Sequence, residues 1–100
     1  MRLYRAVSQT ELEDIRSTGA FRDSIHGSGE KAFYYEIGDA ARMAKSFEKM
    51  VRQIHSVVSA DAPEDVVARG RRHEAAQEGA GVYLLVDDLP LLGPALEEEL

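Results

Sequence analysis

Leu3-Tyr4-Arg5-Ala6-Val7-Ser8 stands near the start of the chain, and Gln9-Thr10-Glu11-Leu12-Glu13-Asp14-Ile15 follows without a break. The reading of this stretch decides the fold. Residues 2–7 read as a strand, with Leu3, Arg5 and Val7 on one face and Tyr4 and Ala6 on the other. Ser8 with Glu11 three positions on is the capping-box pattern, so a helix is expected over residues 9–18. Leu12 and Ile15 share one face of that helix, and Gly19 is its stop. Arg5 interrupts an otherwise apolar strand face. A guanidinium there needs an anionic partner, because burying an unpaired charge costs several kcal/mol, roughly. The partner is either a carboxylate of the protein or a phosphate of a ligand, and the sequence leaves both open.

Working outward, Ala20-Phe21-Arg22 reads as a brief strand and residues 23–31 as an exposed Ser/Gly-rich loop. The aromatic run over 32–36 reads as a strand. Gly38 and Asp39 open a second helix, whose Ala40, Met43, Ala44, Phe47 and Val51 recur at steps of three and four. Residues 53–60 return to strand character. Pro63-Glu64-Asp65 starts a third helix, with proline in the first turn and acids at the positive end of the dipole. Gly70 ends it, or it resumes through residues 71–78; the pattern permits either. Val82–Val86 is the clearest β run, Asp87-Asp88-Leu89-Pro90 closes it, and the acidic tail from about residue 94 is expected to fray. Short strands interleaved with short helices favour a mixed α+β domain over a doubly wound parallel sheet.

At 100 residues the chain is long enough for one domain with a modest core. No cysteine is present, which removes disulfides, thiolate catalysis and Cys-based metal sites and fits a reducing compartment. Twelve basic against eighteen acidic residues give a net charge of −6, the opposite of the balance that grips nucleic acid. No apolar run approaches the roughly 20 residues that span a bilayer, and the N-terminus lacks a signal pattern. A cytoplasmic location with no membrane contact is expected. His26, His55 and His73 share no metal-ligand spacing, so no metal is expected.

The first half resembles the small ADP-ribosyltransferase-like domains found at the ends of bacterial polymorphic toxins. The likeness rests on Leu3-Tyr4-Arg5, Ser8-Gln9-Thr10-Glu11-Leu12-Glu13-Asp14-Ile15, Thr18-Gly19-Ala20-Phe21-Arg22, Gly29-Glu30-Lys31, Phe33-Tyr34-Tyr35 and Asp39-Ala40-Ala41, in that order. It covers residues 3–47 and fades beyond residue 50. It implies a bent, split β-sheet with short flanking helices and a cleft that binds NAD as substrate. By that resemblance Arg5 would anchor the dinucleotide's pyrophosphate, and Tyr34 or Tyr35 would stack near the nicotinamide. Such a site needs a carboxylate beside the positive charge that develops on the ribose. Glu78 is the nearest one before the late strand, although Gln77 stands beside it rather than two residues earlier.

Each signal has a plainer reading. Arg5 can pair with a structural carboxylate, and Tyr34 and Tyr35 point to opposite sheet faces, so packing accounts for at least one. Glu78 also reads as a solvated loop residue. His26, in its Ser/Gly-rich loop, is a further candidate for the cofactor cleft, with a surface role as the default. Arg69, Arg71 and Arg72 read as a solvated helix end. Two functions follow: an NAD-dependent ADP-ribosyltransferase with an unidentified acceptor, or a non-catalytic protein-interaction module, accessory or immunity-type, on the same fold.

Overall fold

The computed structural model describes residues 1–22, 29–75 and 79–99. Within them an α+β fold is built on one antiparallel sheet. Its strands are β1 (Arg2–Ser8), β2 (Glu30–Tyr34), β3 (His55–Asp61), β4 (Arg71–Ala75), β5 (Gly79–Leu85) and β6 (Leu96–Glu98), in the order β4-β5-β2-β1-β3-β6. They are connected by helices α1 (Gln9–Thr18), α2 (Ile37–Val51) and α3 (Glu64–Arg69) and a 3-10 helix over Val86–Leu91.

Local chemistry sets α1 as the sequence implies. The Ser8 hydroxyl accepts the Glu11 N–H at 3.2 Å, and Gly19, at φ 77°, donates its N–H back to the Ile15 carbonyl at 2.6 Å. Leu12 and Ile15 bury against the sheet face that carries Leu3, Val7 and Phe33. The other face carries Ala6, Tyr34 and Val57, and α2 covers it with Ala40 and Ala44, partly helped by Met43 and Phe47. The alternation of β1 therefore sorts its residues between two cores, one beneath α1 and one beneath α2.

The sheet is unevenly sewn. β1 and β3 pair along their full length, from Arg2↔Asp61 to Ser8↔His55, and β2 pairs with β5 from Glu30↔Leu85 to Tyr34↔Gly81. Between β1 and β2 the register is the single pair Tyr4↔Tyr34. The half β4-β5-β2 thus meets the half β1-β3-β6 at a thin central seam.

Several expectations are corrected. Ala20-Phe21-Arg22 is not a strand: Phe21, 3% exposed, is a core plug whose ring meets that of Phe33 edge-on at 5.1 Å. Residues 71–75 do not extend α3. They form β4, an edge strand paired with β5 from Arg71↔Tyr83 to Ala75↔Gly79. Arg71-Arg72-His73-Glu74 hides its strand character because an edge strand has little apolar face to show. The β run expected at 82–86 spans Gly79–Leu85. The tail expected to fray from about residue 94 instead runs beside β3 as β6, held by the Arg16–Glu97 ion pair and a Ser59–Glu98 hydrogen bond. Among the described residues no helix is long and apolar enough to cross a membrane.

Candidate functional site

Arg5 sits beside the seam. Its Nε and Nη2 donate to the two carboxylate oxygens of Glu11 at 2.8 and 2.9 Å, and its Nη1 donates across the seam to the Ala32 carbonyl at 3.0 Å. The first turn of α1 brings Glu11 here, and β2 supplies Ala32, so one guanidinium ties three elements together. Lys31, only 6% exposed, places its Nζ 3.5 Å from Glu11 Oε2. Two cations from neighbouring strands therefore converge on one carboxylate. Burial pushes the Glu11 carboxyl up, but the Arg5 hydrogen bonds and charge, joined by Lys31, outweigh it and hold the group below its ordinary value. Three of the five guanidinium N–H groups are engaged in this way. The other two, one on each terminal nitrogen, have no acceptor among the described residues.

A second cluster lies on the opposite sheet face. Ser59, Tyr4, Tyr34, Gly81 and His73 fall in one row across β3, β1, β2, β5 and β4. The His73 ring meets Tyr34 at 5.3 Å and Tyr83 at 4.9 Å, and its Nε2 donates to the Phe33 carbonyl at 3.0 Å. Gly81 makes this possible. A Cβ there would lie 1.9 Å from the Phe33 carbonyl oxygen and 2.6 Å from the imidazole, so only glycine lets the ring cross β5. Arg71 stacks on the outer side of Tyr83 at 4.3 Å and pairs with Glu30.

The residues singled out in the sequence are distributed as follows. Arg5 and Tyr35 serve the α1 side of the sheet, where Tyr35 packs partly buried on the larger core. Tyr34, 7% exposed, serves the α2 side. His26 and Glu78 lie outside the described residues, although β5 begins at Gly79, the residue after Glu78. Sequence reasoning passed over Glu11 as a partner of Arg5, reading it as a cap alone. It also passed over His73 and Tyr83. The one signal that pointed to His73 was the Gly79-Ala80-Gly81 run opposite it, whose missing side chains leave room for a ring. No group of three or more His, Asp or Glu residues that could hold a metal occurs among the described residues. Compared with known proteins, the chain matches no protein-family model, no curated protein and no solved structure.

Proposed function

We propose that this chain is an ADP-ribosyltransferase-like domain that binds NAD at the seam between its two half-sheets. The observation that supports this most is the strand order. It makes β5, β2 and β1 adjacent, so the positions singled out for one site (Arg5 in β1, Tyr34 and Tyr35 at the end of β2, Glu78 just before β5) fall on three neighbouring strands. The Tyr35 N–H bonds the Ala80 carbonyl at 3.2 Å, which brings the end of β2 against the start of β5. At the seam Arg5 is held side-on by Glu11, and its remaining N–H groups are the ones a pyrophosphate oxygen would meet. Transfer of ADP-ribose would further need a carboxylate against the developing positive charge of the ribose, the part assigned to Glu78.

A non-catalytic interaction module is the second reading. It is favoured by the fact that Arg5 already has its carboxylate, and that Arg5 and Tyr34 stand on opposite faces. Met50, Val51 and Ile54, 75%, 52% and 71% exposed, would then belong to the contact with a partner protein. Calorimetry with NAD separates the two. The first reading expects binding that Arg5→Lys weakens at least about tenfold, since a lysine keeps the charge and loses the fork. It also expects nicotinamide release that Glu78→Gln abolishes. A flat titration at millimolar NAD would leave the interaction module as the function.

A further inference from the structure

We infer that His73 is the general base of this domain, with Nδ1 as the proton-accepting atom; the inference rests on the NAD reading above. Four observations carry it. The ring is tethered in one orientation, because Nε2 faces the Phe33 carbonyl at 3.0 Å and a carbonyl only accepts. That bond assigns the proton of the neutral ring to Nε2 and leaves the Nδ1 lone pair available. Nδ1 has no partner among the described residues and is not a buried unsatisfied atom, so it meets solvent. The ring is also held by edge contacts with Tyr34 and Tyr83, over a glycine whose replacement would evict it. A purely structural histidine on an edge strand has no need of a slot cut across the neighbouring strand.

The location suits the role. Through Gly81 and Tyr34, His73 shares a row with the end of β2, and β5 begins two residues before Gly81. In the reaction the acceptor X–H loses its proton to Nδ1 as the X–C1′ bond forms. The C1′–N bond of NAD breaks, and its electron pair leaves with neutral nicotinamide. With water as X–H the products are ADP-ribose, nicotinamide and the proton held on His73. The charged and titratable groups around the ring are the Tyr34 and Tyr83 hydroxyls, Arg71 over the far side of Tyr83, Glu30 paired with Arg71, and Asp39, which packs against Gly79.

His73→Gln tests this. A glutamine amide can still donate to the Phe33 carbonyl, while the Nδ1 acceptor is lost. The probes are NAD and water, and the readouts are the NAD dissociation constant, the melting temperature and the rate of nicotinamide release against pH. The expected result is NAD affinity within about twofold of the parent and a release rate lower by about a hundredfold or more. The acid limb of the parent's rate profile should disappear with it. Release at the parental rate, or an unchanged pH profile, would overturn the inference. So would a parent that binds NAD and releases no nicotinamide, which leaves the binding reading standing. A parent that does not bind NAD at all would remove both.

Discussion

At the scale of single residues, Glu11 carries more of the molecule than its cap position suggests. Its side chain is 19% exposed, that of Arg5 is 20% exposed, and each satisfies the other bidentately. Replacing Glu11 by Gln leaves two cations crowded at one end of the larger core. Loss of such a charge-assisted, half-buried pair is expected to lower stability at neutral pH by roughly 1–3 kcal/mol, measured by urea denaturation. The pH dependence has a definite sign. The folded carboxyl titrates below its unfolded value, so its contribution is complete above the ordinary glutamate range of about 4.3 and fades as pH falls through the folded value. Stability of the parent should therefore fall more steeply between about pH 5 and pH 3 than that of Glu11→Gln. Parallel curves would mean that the pair contributes nothing.

At the scale of elements, the β4–β5–β2 unit depends on a close approach of backbone and ring. Gly81 is buried between the Phe33 carbonyl and the His73 imidazole, with no room for a methyl group. Gly81→Ala is thus expected to destabilise by about 2–3 kcal/mol, an overpacking penalty with flanking backbone on one side. The near-ultraviolet circular dichroism of Tyr34 and Tyr83 should change with it, since the ring that sits between them must leave. Gly79 differs in kind. At φ 88° it closes the hairpin in a conformation that side chains rarely adopt, and Asp39 of α2 packs against its open side. Edge strand β4 stays legible as a strand only through its partner. Arg71 stacks on Tyr83 and pairs with Glu30, so charged residues perform the packing that apolar ones perform in β5.

At the scale of the whole molecule, the two halves of the sheet share little backbone register, and other ties span the structure. The C-terminal segment is one of them. The Ala95 N–H bonds the Gly19 carbonyl at 3.2 Å, Glu97 pairs with Arg16 at 2.7 Å, and β6 covers the outer edge of β3. Ending the chain at Gly93 removes all three. For a domain of this size a loss of about 1 kcal/mol lowers the melting temperature by roughly 4–8 °C, so a drop of about 5–15 °C is expected in thermal unfolding. An unchanged transition would show that the tail rests on the sheet without holding it. The pair Arg16–Glu97 is exposed at both ends, so the strand pairing and backbone bond are expected to account for most of the drop.

What local chemistry could settle was readable directly from the amino acids. Ser8, Glu11 and Gly19 bound α1 because capping acts within a few residues, and the stripe of α2 and the alternation of β1 report which side is buried because period reflects geometry. The segments that misled were those whose partners lie far along the chain. Phe21 reads as strand until Phe33 is placed against it, and residues 71–75 read as helix until β5 lies beside them. The tail reads as loose until β3 offers it an edge. The candidate site divides in the same way. That Arg5 needs an anion follows from desolvation alone, whereas the choice of Glu11 as that anion, the separation of Arg5 from Tyr34 by the sheet, and the slot that fixes His73 over Gly81 all depend on strand order. Residue types dictate which groups must find partners; only the packed sheet brings residues 40 apart, such as Phe33 and His73, within hydrogen-bond reach.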